Sequence, residues 1–240
     1  AQALAEEGCR VALNGRDAGR LERAGELVRR SGRGDAKGFP ADVSVPADAE
    51  ALVGRVQDHF GALDILVCNA GGPKAASFED TPADAWQKAL ELNLLSTVHL
   101  CRAAVPAMRE RRWGRVICLT SIAAKQPVTG LILSTTARAG VLGFAKALSD
   151  EVAALGITVN SVCPGFVRTE RVEDLASQRS AQTRTTKDEV LASFIKDVPA
   201  GRMGEPGELA AAVAFLASEG ASYITGAALQ VDGGLIRSIL

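Results

Sequence analysis

The sequence lacks any apolar run as long as a membrane span, and no signal peptide is visible in it. Its formal net charge is only −1, which does not favour nucleic acid or an anionic membrane surface as a partner. It also contains no internal repeat and no linker that would separate two domains. We therefore expect a single domain over residues 1–240, in the cytoplasm, that binds neither membranes nor nucleic acid.

Metal-ligand spacing is absent as well. The five cysteines are odd in number, most of them lie in apolar runs, and His59 and His99 are isolated. The sequence therefore predicts no metal site and favours buried free thiols in a reducing compartment. The cysteines are Cys9, Cys68, Cys101, Cys118 and Cys163.

Aromatic residues are scarce, at 4% of the chain, and the single tyrosine is Tyr223, for which a packing role near the last strand is expected. Hydrophobic residues, by contrast, make up 47% of the chain, mainly as Ala, Val and Leu. This composition suits parallel strands that are buried on both faces. The sequence therefore predicts an α/β fold.

Strand-like and helix-like segments alternate along the chain, which is typical of a doubly wound parallel sheet. Strands are predicted at 9–13, 63–67, 116–119, 157–162 and 228–231, and a further short strand ends within 39–44. Helices are predicted at 1–7, 20–30, 46–60 and 81–111, in the stretch that ends at 147, and from about 208 to 217. Residues 31–38 are predicted as a polar loop. Residues 168–200 are low in apolar content and are interpreted as a mobile substrate lid.

Residues 115–147 hold the densest group of side chains suited to chemistry. A buried strand leads into Ser121, and a loop that contains Lys125 leads into a long helix. That helix carries Ser134 and, four residues later, Arg138. The segment is therefore the first candidate for an active site.

Three other motifs are weak when each is taken alone. An Asn-Ala-Gly turn that ends at Gly71 permits close approach of a ligand, although a tight turn would also explain the glycine. Asn93 lies in the middle of a helix, where its amide competes with the backbone, so a function is favoured over indifference. Asp42 precedes a helix and could simply be an acidic residue at its N-terminus.

These motifs, together with Pro164-Gly165 and a terminal Val-Asp-Gly-Gly, occur in an order that resembles the short-chain dehydrogenase/reductase family across nearly the whole chain. The resemblance implies a Rossmann-like domain that transfers hydride between a nicotinamide cofactor and a small carbonyl or alcohol. The layout is similar to members that reduce 3-oxoacyl thioesters, although a fold does not determine a substrate. It also implies a homotetramer or homodimer, built from paired long helices and the C-terminal strand.

The resemblance further implies where the cofactor lies. The pair Asp42-Val43 would face the adenine, Pro164-Gly165 would pack on the nicotinamide, and Thr169 would bond the carboxamide or the phosphates. The implied cofactor residues are Asn14, Gly15, Arg16, Asp42, Val43, Asn69, Ala70, Gly71, Arg138, Pro164, Gly165, Val167 and Thr169.

NADP(H) is expected rather than NAD(H). Sites that prefer NAD place a carboxylate at the end of the second strand. Here that position is Gly15, and the next residue, Arg16, is a natural partner for a 2′-phosphate. An exposed arginine in a surface turn is the alternative.

The sequence departs from the family at its Tyr-x-x-x-Lys pair, which aligns with Ser134 and Arg138. A serine hydroxyl is shorter and less acidic than a phenol, and an arginine cannot relay protons. We therefore expect Lys125 to be the proton donor, with Ser121 positioning the carbonyl and Asn93 holding a water. Arg138 would contact the ribose, and Ser134 would be a spacer or a weak donor. A solvated loop lysine is the alternative for Lys125.

Two other functions follow from the same departure: a catalytically degenerate protein that binds nucleotide or partner subunits, and a non-redox lyase or isomerase. The family's central strand and Gly-rich phosphate loop, which precede the first helix, do not occur within residues 1–240. Because a doubly wound sheet without its middle strand exposes two unpaired edges, we expect the given sequence to begin after these elements.

Overall fold

The computed structural model of the protein describes residues 1–32 and 34–239. Within them, strands and helices alternate as the sequence predicts. The strands are β1 (Val11–Gly15), β2 (Ala36–Pro40), β3 (Ile65–Cys68), β4 (Gly114–Leu119), β5 (Ile157–Pro164) and β6 (Ala228–Val231). The helices are α1 (Gln2–Glu6), α2 (Ala18–Ser31), α3 (Pro46–Phe60), α4 (Ala83–Leu90), α5 (Ser96–Arg111), α6 (Ile132–Val152), α7 (Glu170–Thr183), α8 (Lys187–Ile195) and α9 (Pro206–Ala217).

All strand pairs are parallel, but they form two sheets. β1 pairs with β2, while β3, β4, β5 and β6 form a second sheet in that order. Parallel strands run from the same end of the sheet, so their carboxyl ends meet at one edge, where α/β folds place their ligands. Helices cover both faces of the larger sheet, which confirms the predicted Rossmann-like architecture.

A cleft of about 680 Å³ separates the two sheets. Its walls include residues 11–14 of the β1 edge and 63–67 of the β3 edge. Apolar side chains of α3 and α9, among them Val56 and Val213, also line it. The cleft therefore lies between the two unpaired strand edges and is largely apolar along its length.

The larger core lies on one face of the sheet and is built from α3, α5 and α6 against β3, β4 and β5. Met108 and Val152 are fully buried in it, as are Val116 and Val159 on the strands. A smaller cluster on the other face joins Ile117 and Val162 to Leu216 of α9. Since alternate residues of β4 point to opposite faces, both core clusters fix its position.

The helix predicted at 81–111 is interrupted by a π-helical turn at Glu91–Leu95, which separates α4 from α5. Such turns insert one extra residue and often occur at functional sites. Here the turn holds Asn93, which is 4% exposed.

Residues 168–200, predicted as a mobile substrate lid, make more apolar contacts than their composition indicates. Residues in this lid form the helices α7 and α8, which enclose their own apolar cluster around Ala176 and Phe194. Phe194 stacks on Phe166 at a centroid distance of 4.6 Å. The mobility of the lid stays a prediction.

Two smaller expectations are wrong. The polar loop predicted at 31–38 overlaps the strand β2, whose Ala36 is buried. Tyr223 does not pack, because its side chain is fully exposed. Within the described residues, no helix is both long and apolar enough to cross a membrane, and no group of His, Cys, Asp and Glu side chains could hold a metal ion.

Candidate active site

The carboxyl end of β4 carries two hydroxyl side chains. Thr120 donates its hydroxyl to the carbonyl of Val162, at 3.0 Å, and so ties the end of β4 to β5. Ser121 follows in extended conformation and caps a short 3₁₀ turn, where its Oγ accepts a 3.1 Å hydrogen bond from the amide of Ala123. The Ser121 hydroxyl keeps its own proton and can donate it to a ligand oxygen.

Ser134 and Arg138 come from the first turns of α6. Ser134 is buried, at 7% exposure, and Arg138 is partly buried. The guanidinium donates from Nε to Ser134 Oγ at 3.2 Å and from Nη1 to the carbonyls of Leu119 and Thr120 at 3.1 and 2.8 Å. Its Nη2 donates to the carbonyl of Ala70 at 3.3 Å. Arg138 therefore connects the ends of β3 and β4 to Ser134.

Asn93 binds the loop after β3, which Arg138 also contacts through Ala70. Its Nδ2 donates to the carbonyl of Gly71 at 3.0 Å, and its backbone carbonyl accepts from Thr97 Oγ1 at 3.3 Å. Its Oδ1 is buried and has no partner among the described residues. A buried acceptor of this kind is costly unless a donor reaches it, so the site is suited to a water or a ligand N–H or O–H.

Lys125 ends the short 3₁₀ turn that Ser121 begins, and it faces β6. Its side chain is exposed, and Nζ donates to the carbonyl of Ala228 on β6 at 3.2 Å. The structure thus places its ammonium on a backbone carbonyl rather than on Ser121 or Ser134.

Cys163 is a neighbour that sequence reasoning treated only as a buried thiol. Its Sγ lies 3.1 Å from Thr120 Oγ1. Burial raises the pKa of this thiol, while the bond to Thr120 and the charges of Lys125 and Arg138 act in the opposite direction. The thiol form is therefore favoured, and Cys163 is better suited to packing than to nucleophilic chemistry.

The residues expected near the adenosine lie together at the ends of β1 and β2. Asn14 donates from Nδ2 to the carbonyls of Phe39 and Ala41 at 3.0 and 3.2 Å, which joins the two strands. The carbonyl of Gly15 accepts from the amide of Ala41 at 3.1 Å. Arg16, which follows, is exposed and lies 3.8 Å from Asp42.

Asp42 is fixed by its neighbours. Its Oδ1 accepts from the amide and the hydroxyl of Ser44 at 3.1 and 2.6 Å. These bonds, together with the charge of Arg16, lower the pKa of the carboxyl. Asp42 is therefore ionised near neutral pH and can accept a hydrogen bond from a ligand amine.

A few of the predicted cofactor residues line the cleft, at or beyond the carboxyl ends of its neighbouring strands. Asn14, Val43, Asn69, Val167 and Thr169 all line it. Thr169 precedes α7 and donates its hydroxyl to the carbonyl of Val167 at 3.2 Å. The remaining cofactor residues of the prediction lie at or just after strand ends, except Arg138, which lies on α6.

Gly165 is required by its surroundings. A Cβ at this position would lie 2.8 Å from the Cα of Asp232, so a larger residue would push the two strand ends apart. Its amide donates to the carbonyl of Val231 at 3.0 Å, and Pro164 pairs in register with the same residue. The Pro-Gly pair therefore allows the end of β5 to pack closely against the end of β6.

The sequence motifs did not indicate three side chains near the site. These are Thr120, and Arg20 and Glu170, whose ion pair joins α2 to α7 at 3.3 Å. The hydroxyl next to Ser121 was a usable signal. The ion pair was not, since its partners are 150 residues apart.

Comparisons with known proteins agree with the fold. A family described as Enoyl-(Acyl carrier protein) reductase matches residues 1–236. The chain is 40% identical over 199 residues to the 3-oxoacyl-(acyl-carrier-protein) reductase FabG of Salmonella typhimurium. The aligned residues are 83% of this chain and 77% of that protein.

Two solved structures superpose on the fold with a TM-score of 0.93. One is L-sorbose reductase from Gluconobacter frateurii complexed with NADPH and L-sorbose, 31% identical, with 99% of this chain and 91% of that chain covered. The other is a variant of actinorhodin polyketide ketoreductase with NADPH, 34% identical, with 98% and 90% covered. The chain belongs to the short-chain dehydrogenase/reductase family of oxidoreductases.

Proposed function

We propose that the protein is an NADP(H)-dependent oxidoreductase that reduces a carbonyl, in a 3-oxoacyl thioester or a similar ketone, by hydride transfer. The observation that carries the proposal is the position of Arg138, which links Ser134 to the backbone beside Ser121. Two hydroxyls and a cation thus meet at the carboxyl end of β4, next to the cleft. Relatives with the same fold are reductases of 3-oxoacyl groups, sugars and polyketides.

The residues of this chain fit a nicotinamide cofactor. Asp42, ionised and partly exposed, suits the amine of an adenine, and Arg16 suits a 2′-phosphate. A nicotinamide ring would pack on Pro164 and Gly165 at the end of β5, as the family resemblance implies. When bound, the cofactor supplies or accepts the hydride. The residues around it bind and orient the two reactants.

The substrate carbonyl would lie between Ser121 and Ser134. The Ser121 hydroxyl donates to the carbonyl oxygen and holds it in place. As hydride arrives, negative charge develops on that oxygen, and the nearby guanidinium of Arg138 stabilises it. Asn93, with its unsatisfied Oδ1, holds a water that supplies protons to the site.

The proton itself we assign to Lys125. An arginine remains protonated and cannot donate, and a serine must regain each proton that it gives away. The ammonium of Lys125 would leave the carbonyl of Ala228, an exposed hydrogen bond that is cheap to break, and turn toward the substrate oxygen. Ser134 would then orient the carbonyl as a weak donor.

Two other functions are alternative outcomes of the test, because Ser134 and Arg138 align with the family's tyrosine and lysine and differ from them in chemistry. One is a degenerate protein that binds nucleotide without turnover. The other is a non-redox lyase or isomerase that removes water or moves a double bond.

The deciding experiment follows NADPH absorbance in the presence of 3-oxoacyl thioesters, ketones and sugars, with Ser121→Ala as the control. Oxidation of NADPH by wild type and not by the control supports the proposal. Binding of NADPH without any turnover supports the degenerate protein. Substrate loss with no change in NADPH supports the non-redox enzyme.

We also propose that the protein is a homotetramer or homodimer in the cytoplasm. Apolar side chains are exposed around α9 and β6, where Phe215 and Leu229 are 49% and 39% exposed and Tyr223 lies nearby. A second copy would cover them. The five free thiols, four of them buried, agree with a reducing compartment.

A further inference from the structure

We propose that Arg20 is a second ligand of the 2′-phosphate of NADP(H), beside Arg16, and that Glu170 of the lid releases Arg20 when the phosphate binds. The proposal rests on the proposed function, since it names a further residue of the same cofactor site. If it holds, the ion pair of Arg20 and Glu170 couples the preference for NADP(H) over NAD(H) to the contact between α2 and the start of the lid.

The ion pair joins α2 to α7 near residues that line the cleft. Arg20 lies in the first turn of α2, which follows β1, and Glu170 is the first residue of α7. Asn14 of β1 and Thr169, which precedes Glu170, both line the cleft. The 3.3 Å contact between Arg20 Nη2 and Glu170 Oε2 therefore joins the adenosine side of the cleft to the start of the lid.

The two arginines differ in how firmly their carboxylates are held. The partner of Arg16 is Asp42, which two hydrogen bonds from Ser44 fix in place. The partner of Arg20 is Glu170, whose side chain is 89% exposed. An exposed carboxylate of this kind contributes little by its ion pair and returns to water at low cost. Arg20 is thus the cation whose charge is more easily released to a ligand.

A phosphate is a better partner for this guanidinium than a glutamate. It carries nearly two negative charges and offers three acceptor oxygens, so it can take paired N–H groups from an arginine. The start of α2 adds the positive end of its dipole. A 2′-phosphate that reaches Arg16 would therefore compete with Glu170 for Arg20.

The consequence concerns the lid. When Arg20 turns to the phosphate, the first turn of α7 loses its contact with α2. NADP(H) then loosens the start of the lid as it binds, whereas NAD(H), which has no 2′-phosphate, leaves the ion pair in place.

The test measures the dissociation constants of NADPH and NADH for wild type, Arg20→Gln, Glu170→Gln and the double variant, by fluorescence titration at low salt. Arg30→Gln is the matched control, since it removes the same charge from the exposed far end of α2. Arg20→Gln is expected to weaken NADPH about tenfold and to leave NADH unchanged within a factor of about two. Glu170→Gln is expected to strengthen NADPH a few-fold, roughly the value of an exposed ion pair, and this gain should vanish in the double variant.

Hydrogen exchange of residues 170–174 gives a second measurement. NADPH should speed exchange there in wild type and not in Glu170→Gln, where the contact is already lost. Equal weakening of both cofactors by Arg20→Gln, or no effect on either, overturns the proposal and leaves the proposed function standing. Failure of wild type to bind either cofactor overturns the proposed function and this inference with it.

Discussion

Arg138 and Ser134 lie one helical turn apart on α6, and Arg138 Nε donates a 3.2 Å hydrogen bond to Ser134 Oγ. The same guanidinium also donates to the carbonyls of Leu119, Thr120 and Ala70. A lysine at this position has one ammonium and could not make all of these contacts in the same fork geometry. An arginine at this position therefore holds the strand ends through contacts that a lysine could not all make.

Arg138→Ala is expected to lower the free energy of unfolding by about 2 kcal/mol, because it leaves three carbonyls at the strand ends without a charged donor. Arg138→Lys should recover part of that loss, since an ammonium can reach one or two of them. Urea denaturation followed by circular dichroism measures both. Equal stability of all three proteins would show that water replaces the guanidinium without cost.

Arg16→Ala is expected to remove most of the preference for NADPH over NADH. The Arg16 side chain is 80% exposed and follows β1, so its loss should act on the 2′-phosphate and little on the fold. Titrations of both reduced cofactors with wild type and variant decide the matter. The claim fails if NADH binds wild type as tightly as NADPH does, or if the variant keeps the wild-type preference.

The parts of the fold that could be predicted are those with local signals. The helix at Pro46–Phe60 starts at a proline and ends before Gly61 in left-handed conformation, and both boundaries are visible in the sequence. The strand Ala228–Val231 is a short apolar run between glycines and was predicted with the same bounds.

The parts that could not be predicted depend on contacts between distant residues. The π turn at Asn93 packs against α6, a contact between distant parts of the chain, and no local pattern in the sequence predicts its π geometry. The apolar cluster of the lid joins Ala176 to Phe194, whose spacing is hidden in a polar stretch. In the site itself, the order of motifs predicted Ser121 and Arg138, but the carbonyls that bind Arg138 come from two strands and required the structure.

Leu229→Glu is expected to reduce the mass of the protein in solution. Leu229 shares its sheet face with Val162, its partner in register, and lies 39% exposed on the last strand. A charge there would be buried without a partner in any assembly that covers this surface. Light scattering of wild type and variant, with Gln230→Glu on the neighbouring position as the control, measures the effect. An unchanged mass would place the interface elsewhere.

The stability of the protein should fall as the pH drops below about 4.5, in part through Glu208. Its carboxylate accepts from both Nη atoms of Arg202, at 2.7 and 2.6 Å, and from the amide of Glu205 at 2.8 Å. These bonds lower the pKa of Glu208 from 4.5 to about 2. Because the folded-state pKa is depressed, the contribution is present above 4.5 and is lost as the pH falls toward 2. The melting temperature of Glu208→Gln should therefore depend less on pH over this range than that of wild type.

Lys125→Met and Ser134→Ala separate the two candidate proton donors. If Lys125 donates the proton, its removal should slow hydride transfer by about 10²–10⁴-fold. Ser134→Ala should then slow it less, because Ser134 only orients the carbonyl. Single-turnover measurements with a substrate found in the NADPH screen isolate this step from product release.

Lys37→Met is the control, since it removes an exposed lysine of β2, in the smaller sheet. A rate for Lys125→Met within a few-fold of wild type, together with an inactive Ser134→Ala, would move the proton to Ser134. In that case Arg138 Nε, which already bonds Ser134 Oγ, would hold the alkoxide that forms after donation, and the water at Asn93 would return the proton. The pair on α6 would then do both of the tasks that the family divides between tyrosine and lysine.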